Sequence, residues 1–121
     1  MSGAPRPDLV YKAICAGILG QVSWDHKAEE IMQCNPKMRG FTTKGIKLLL
    51  REFVLKKGCG CIVHRPEDSE YWLKVHPDDP WWYKVVIEEV DEFPKGLFVK
   101  MRLDDPNEEL DPWVQIIGCH E

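Results

Sequence analysis

Residues 81–121 read WWYKVVIEEV (81–90), DEFPKG (91–96), LFVKMRLDD (97–105), PNEELDP (106–112) and WVQIIGCHE (113–121). Three runs of β-branched and aromatic residues alternate with clusters of Pro, Gly, Asp and Asn, a pattern that is typical of an antiparallel meander. This stretch therefore predicts three consecutive strands, and the rest of the fold is built around it.

Apolar and polar side chains alternate along the first two runs. Because the side chains of a strand point to opposite faces in turn, one face is apolar and the other is mixed and mostly basic. The apolar face comprises Trp81, Tyr83, Val85, Ile87, Leu97, Val99, Met101 and Leu103. A register that keeps the apolar side chains of both runs on one face predicts a hairpin whose loop runs from Glu92 to Gly96. The predicted cross-strand pairs are Ile87–Met101, Val85–Leu103, Lys84–Asp104, Glu88–Lys100 and Val86–Arg102.

The third run is apolar on both faces, so alternation does not settle which of its faces points inward. Trp113, Gln115, Ile117 and Cys119 share one face, and Val114, Ile116, Gly118 and His120 share the other. A strand that is apolar on both faces is more often central than at an edge. If His120 lies on the basic face, strict alternation makes Trp113 and Ile117 part of the core.

Helical spacing of apolar residues predicts three helices before the sheet. We expect Asp8 to cap the first, which ends near Gly20, and Ser23 to cap the second, whose buried stripe is Trp24, Ala28, Ile31 and Met32. Thr42 or Thr43 opens the third, with the stripe Ile46, Leu49, Leu50, Phe53 and Val54 and with Gly58 after its end.

The segment CGCIVH (59–64) predicts a short strand, and Pro66 begins a brief helix that extends to Val75. Helices followed by strands predict the α+β class: N-terminal helices packed on one face of a small antiparallel sheet of about four strands. We expect one domain spanning residues 1–121, with residues 1–7 as a loose tail.

Composition narrows the class of protein. An apolar fraction of 44% and five tryptophans exclude a disordered chain. The net charge of −4 argues against nonspecific binding of nucleic acid by bulk electrostatics, so such binding would need a local basic patch. No apolar run has the length of a membrane span, and the N-terminal segment lacks the pattern of a signal peptide. The odd number of five cysteines then predicts reduced thiols in the cytoplasm.

Two clusters of potential ligands have simpler explanations than metal binding. Cys59, Cys61, His64, Cys119 and His120 could ligate zinc, but one residue separates the paired cysteines where structural zinc sites have two to four. We expect buried thiols in strands, and neither a metal nor a cofactor. The acids Asp78, Asp79, Asp104, Asp105, Glu108, Glu109 and Asp111 accompany Pro and Asn in loops, as solvated turn formers do.

Cations interleaved with aromatic residues form the third candidate site. The set is Lys56, Lys57, His64, Arg65, Lys84, Lys100, Arg102 and His120, with Trp82, Phe98 and Trp113 among them. Cations hold phosphates and aromatic faces stack bases, which favours a track for single-stranded RNA. The alternative is a solvated sheet face with ion pairs to Glu88 and Asp104.

Residues 43–121 resemble, in order and spacing, the RelE-like mRNA-interferase toxins, most closely the motility-quorum-sensing-regulator type. The similar segments are a helix end at Glu52–Lys56, the strand opening Trp81–Trp82, LFVKM (97–101) and IIGCHE (116–121). Two positions depart from the family: Phe98 stands where a Tyr is expected and Trp82 where a Gln is expected.

The resemblance implies a RelE-like fold and metal-independent cleavage of RNA by a toxin that an antitoxin-like protein neutralises. A base removes the 2′-hydroxyl proton, and cations stabilise the phosphorane. Either His64 or His120 could act as acid or base, since histidine titrates near neutrality. The predicted catalytic set is Lys56, His64, Lys84, Lys100, Arg102 and His120, and the predicted RNA-binding set is Lys57, Arg65, Trp82, Phe98 and Trp113. The competing hypothesis is a non-enzymatic interaction protein that uses an exposed Trp82, Phe98 or Trp113 as its anchor.

Overall fold

The computed structural model describes residues 6–16, 21–38, 40–64, 82–88, 90–91, 93–105 and 107–120. The predicted helix between Pro66 and Val75 lies outside the described residues, as do Trp81 and Arg65. Among the described helices, none combines the length and the apolar composition that crossing a lipid bilayer requires.

Three helices and five strands make up the described fold. The helices are α1 (Pro7–Cys15), α2 (His26–Cys34) and α3 (Thr43–Lys57), and 3₁₀ turns span Pro36–Met38 and Cys59–Cys61. The strands are β1 (Val22–Trp24), β2 (Val63–His64), β3 (Trp82–Ile87), β4 (Leu97–Leu103) and β5 (Val114–His120). The sheet order is β1-β5-β4-β3-β2, with β1 parallel to β5 and the other neighbours antiparallel. The α+β class is confirmed, but the sheet is mixed and has five strands rather than about four antiparallel ones.

The additional strand, β1, lies where the sequence pattern predicts the start of the second helix, with Ser23 as its cap and Trp24 as its first buried residue. Val22 pairs with Val114, and Trp24 pairs with Ile116, so β1 covers one edge of β5 and makes β5 central, as expected. The helix α2 begins after Asp25, whose side chain accepts a hydrogen bond from the Ala28 amide. Ser23 is therefore not its cap, because the β-favouring Val22–Trp24 segment pairs with the sheet before the helix starts.

The other helix boundaries agree in part with prediction. Thr42 caps α3, and Gly58 follows it with φ +82°, as the sequence predicted. Arg6 occupies the N-cap of α1, which therefore starts one residue before Asp8 and ends at Cys15 rather than near Gly20. The Arg6 amide donates a hydrogen bond to the Tyr83 hydroxyl (2.9 Å), so the chain is anchored within the segment predicted as a tail.

One hydrophobic cluster joins the three helices to one face of the sheet. The helices contribute Leu9, Val10, Ala13 and Ile14 from α1, Met32 from α2, and Ile46, Leu50, Phe53 and Val54 from α3. The sheet contributes Tyr83, Val85, Ile87, Leu97, Val99, Met101, Leu103, Val114, Ile116 and Cys119. The predicted apolar face of β3 and β4 is thereby confirmed, whereas Ile31 of α2 is 59% exposed instead of buried.

The hairpin register differs from the predicted one by four residues. Ile87 pairs with Leu97 and Val85 pairs with Val99, so the connection spans residues 88–96 and is longer than expected. Phe93 in this connection is buried in the core, where its ring lies 5.4 Å from that of Phe41. A shift by an even number of residues keeps every side chain on its predicted face, so alternation could not detect it. The predicted pairs Lys84–Asp104, Glu88–Lys100 and Val86–Arg102 are wrong.

A bulge in β5 inverts its alternation halfway along the strand. Lys100 pairs with Gly118 and Met101 with Ile116, which leaves Ile117 as an extra residue. Such an insertion reverses the face on which subsequent side chains lie. Val114 and Ile116 are therefore buried before the bulge and Cys119 after it, while His120 lies on the opposite face. The expectation that Trp113 and Ile117 would be core residues is wrong.

Replacing Thr42 with Ala should lower the free energy of unfolding by about 1 kcal/mol. The Thr42 hydroxyl accepts a hydrogen bond from the Gly45 amide (2.9 Å), and this bond is lost in the variant. Thr43→Ala is the matched control and should change stability by less than about 0.5 kcal/mol. Urea unfolding measures both, and an equal effect of the two substitutions would contradict the assignment of the cap.

Gly96→Ala should destabilise the protein by more than about 1 kcal/mol. Gly96 has φ +95°, and an added Cβ would lie 2.8 Å from Val86 Cγ1. The control Gly60→Ala has no heavy atom within 4 Å of the new Cβ and should be nearly neutral. Thermal or urea unfolding of the two variants compares them directly, and a Gly96→Ala variant as stable as the control would refute the described turn.

Candidate nucleic-acid interface

The sheet face opposite the helices gathers four of the eight predicted cations, namely Lys84, Lys100, Arg102 and His120. This surface, here called the basic face, comprises Val63, Trp82, Lys84, Val86, Phe98, Lys100, Arg102, Gln115 and His120. Trp82 is itself buried, but the other residues alternate with the buried ones, apart from the change of phase that the β5 bulge introduces. The face therefore follows directly from burial of the apolar side of β3 and β4.

Phe98 lies at the centre of this face, between two basic side chains. Lys84 Nζ lies 5.7 Å from the centroid of the Phe98 ring. The His120 ring stacks on Phe98 with a centroid separation of 5.8 Å and an interplanar angle of 18°. A cation over an aromatic face is worth about 0.5–1 kcal/mol at an exposed site. The three side chains therefore form one contiguous surface across β3, β4 and β5.

Positive charge is concentrated by the register of the hairpin. Lys84 lies directly opposite Lys100, and Arg102 lies opposite Trp82. Like charges at opposed positions of a ladder repel each other. Arg102 also approaches Asp104 at 3.8 Å, a partly exposed pair that contributes little stability. An acidic protein thus has the local basic patch that binding to a polyanion would need.

His64 does not belong to the basic face. It pairs with Tyr83, whose side chain lies in the hydrophobic cluster, and the two ring centroids are 5.2 Å apart. β2 and β5 are three strand spacings apart, or about 14 Å. His64 and His120 therefore point to opposite sides of the sheet, and the prediction that both serve one site is corrected.

The two lysines at the end of α3 have different surroundings. Lys57 lines a cavity of about 270 Å³ together with Phe53, Cys61, Val63, Lys84, Val86 and Glu88. Its Nζ lies 5.9 Å from the centroid of the Phe53 ring. Lys56 is exposed on the same turn and does not line this cavity. The structure thus brings Lys57, rather than Lys56, to the edge of the basic face.

The three predicted aromatic residues differ in their accessibility. Trp82 is only 1% exposed, so it offers no face for stacking a base and no anchor for a partner. Phe98 is partly exposed within the surface described above. Trp113 precedes β5 and is 47% exposed, close in sequence to Leu110, which is 81% exposed. Of the predicted aromatic contacts, Phe98 and Trp113 are accessible.

The five cysteines differ in burial: Cys119 is buried, Cys15, Cys59 and Cys61 are half-buried, and Cys34 is exposed. Burial raises the pKa of the Cys15, Cys59 and Cys61 thiols, and it raises the pKa of Cys119 to about 12. Cys59 and Cys61 lie in a 3₁₀ turn instead of the predicted strand. Within the part of the chain that the structure describes, no group of three His, Cys, Asp or Glu side chains could hold a metal ion. Neutral thiols are also poor nucleophiles.

Sequence reasoning missed the cavity beside Lys57. Phe53 and Lys57 are four residues apart on α3, so their proximity was readable from helical spacing. The approach of this helix end to Val86 of β3 and to Glu88 just after the strand could not be predicted in this way, because it depends on tertiary packing.

Comparison of the chain with protein-family models, with curated proteins and with solved structures found no match. The described residues place helices on one side of a mixed sheet and a basic, aromatic surface on the other. The protein is therefore an α+β protein.

Cys119 should resist alkylation in the folded protein, whereas the exposed Cys34 should react readily. The high pKa of Cys119 leaves almost no thiolate at pH 8, and its side chain is buried. Iodoacetamide labelling followed by peptide mass mapping measures both sites. Cys119 should become reactive only in denaturant, and equal labelling of the two thiols in the native protein would contradict its burial.

Proposed function

We propose that this protein binds single-stranded RNA on its basic face and cleaves it without a metal ion, as an endoribonuclease of the toxin type. The observation that carries the proposal is the contiguous arrangement of Lys84, Phe98 and His120. It combines a cation for phosphate, an aromatic ring for a base and an imidazole for proton transfer. Lys100 and Arg102 extend the cationic part along β4.

RNA binding on this face would rely on phosphate contacts and stacking. Side chains of Lys84, Lys100 and Arg102 neutralise successive phosphates, while the partly exposed Phe98 ring stacks a base. Stacking on an aromatic residue is worth about 1–3 kcal/mol per base and is tolerant of sequence. A sheet surface with an accessible aromatic ring suits an unpaired strand, whose bases are splayed out and accessible.

Cleavage would use the ribose as its own nucleophile. The His120 imidazole takes the proton of a 2′-hydroxyl, and the 2′-oxygen attacks the adjacent phosphorus. Lys84, which lies over the Phe98 ring beside His120, stabilises the negative charge of the phosphorane, while Arg102 holds a neighbouring phosphate. The bond from phosphorus to the 5′-oxygen then breaks, and that oxygen takes a proton from the Lys100 ammonium or from water. The products are a 2′,3′-cyclic phosphate and a 5′-hydroxyl, and solvent restores both side chains to their starting protonation states.

A toxin of this kind would need an antitoxin-like protein partner in the cytoplasm. The connection between β4 and β5 offers a suitable surface, because Leu110 and Trp113 are exposed there among acidic residues. Large aromatic side chains are frequent anchors of protein interfaces. The same observation favours a second candidate function, a non-enzymatic interaction protein whose anchor is Trp113.

RNA binding is tested with the double variant Lys100→Ala/Arg102→Ala. Its affinity for an octauridine should fall at least about tenfold, and the slope of log K against log salt should decrease by about 1.4 for two lost phosphate contacts. The matched control Lys27→Ala/Lys44→Ala removes two exposed helical lysines and should bind as the wild type does. Fluorescence anisotropy across a salt series provides both quantities. Equal affinity of the two double variants would contradict binding on this face.

Cleavage is tested with His120→Ala and with His26→Ala, a control on the exposed surface of α2. The loss of general-base catalysis should slow cleavage of a labelled RNA by about 100-fold or more, while the control remains active. Expression in a bacterial host should arrest growth for the wild type and the control only. Harmless expression of the wild type with intact cellular RNA would refute the nuclease and favour the interaction protein.

A further inference from the structure

Among the described residues, the cavity at the end of α3 lies beyond the point where β2 pairs with β3. β2 pairs only with Tyr83 and Lys84, so Val86 and Glu88 lie beyond its end. The last turn of α3 approaches this edge and contributes Phe53 and Lys57 to the cavity wall. A volume of about 270 Å³ is just below the range of roughly 300–1,000 Å³ for pockets that hold drug-sized ligands. The cavity therefore suits a fragment of the size of one nucleobase.

This cavity is continuous with the basic face. Lys84 lines the cavity, and its ammonium also lies over the Phe98 ring. Val86, another lining residue, is the cross-strand partner of Phe98. A nucleic-acid strand whose phosphates follow Lys84 and Lys100 would therefore pass the mouth of the cavity, and one of its bases could turn inward.

The lining supplies apolar walls and a small set of polar groups. Phe53, Val63 and Val86 are apolar, and burial raises the pKa of the Cys61 thiol, which is consequently neutral. The charged groups are the ammonium groups of Lys57 and Lys84, which donate hydrogen bonds, and the carboxylate of Glu88, which accepts them. A few polar groups in an otherwise apolar cavity determine which ligand binds and in which orientation.

A carboxylate beside ammonium groups matches one base better than the others. Guanine presents N1–H and N2–H as adjacent donors, which can bond both oxygens of a carboxylate, with O6 beside them as an acceptor for an ammonium. Adenine and cytosine each place an acceptor nitrogen next to their amino group, and uracil has a single N–H between two carbonyls. Only guanine therefore makes two parallel hydrogen bonds to Glu88.

We propose that this cavity is a guanine-binding subsite of the RNA track. In it, the Glu88 carboxylate accepts hydrogen bonds from N1–H and N2–H, and a lysine ammonium donates one to O6. This assignment rests on the proposed RNA binding and adds a sequence preference to it. The bound strand places a guanine beside the nucleotide that contacts Phe98 and His120, so cleavage would occur preferentially near guanines.

The test uses labelled octauridines that carry G, A, C or U at one central position. The wild type should bind the guanine-containing RNA about tenfold more tightly than the other three, a typical discrimination for a bidentate contact. In Glu88→Gln this preference should disappear, while affinity for octauridine stays unchanged or rises because a negative charge is lost. The control Glu30→Gln, on the exposed surface of α2, should keep the preference.

One further substrate and one further variant make the outcome decisive. Inosine lacks the 2-amino group, so it should bind with an intermediate affinity, and Lys57→Met should reduce the guanine preference severalfold. Octauridine binding without any preference for guanine, or a preference that survives Glu88→Gln, would overturn the subsite and leave RNA binding intact. Failure of the wild type to bind any of the RNAs would overturn both proposals.

Discussion

Burial of the apolar side of β4 is the constraint from which the basic face follows. Leu97, Val99, Met101 and Leu103 are fully buried against the helices. Each such side chain gains about 1.5–3 kcal/mol when it is removed from water. The alternation of the strand then forces Phe98, Lys100 and Arg102 to the opposite side. The repulsion between opposed lysines costs at most about 1 kcal/mol, so hydrophobic burial decides the arrangement.

Two departures from a regular meander bring the basic face together. The long connection between β3 and β4 buries Phe93 and sets Lys84 opposite Lys100, where a shorter loop would have set it opposite Asp104. The bulge at Ile117 returns His120 to the side of Phe98 while Cys119 stays in the core. Without the bulge, burial of Val114 and Ile116 would place Cys119 on the basic face and His120 in the core.

Acidic residues of the connection between β4 and β5 interact with the N-terminal segment of the chain. Arg6 forms ion pairs with Asp8 (3.1 Å) and with Glu109 (2.7 Å), and Lys12 donates a hydrogen bond to the Glu109 carbonyl. Exposed pairs of this kind add little stability. Five carboxylates, those of Asp104, Asp105, Glu108, Glu109 and Asp111, lie in or beside this connection, whereas Lys84, Lys100 and Arg102 lie on the basic face.

Local patterns in the residue order were enough to predict the α+β class, the end of α3, the choice of Thr42 or Thr43 as its cap, and the face on which each side chain of β3 and β4 lies. Helical spacing and strand alternation are local properties, so they could be interpreted without knowing the fold. The register of the hairpin, the parallel β1, the inverted end of β5 and the separation of His64 from His120 could be seen only once the chain was folded. These features depend on contacts between residues far apart in sequence, and a shift by two or four residues leaves the alternation of polar and apolar side chains unchanged.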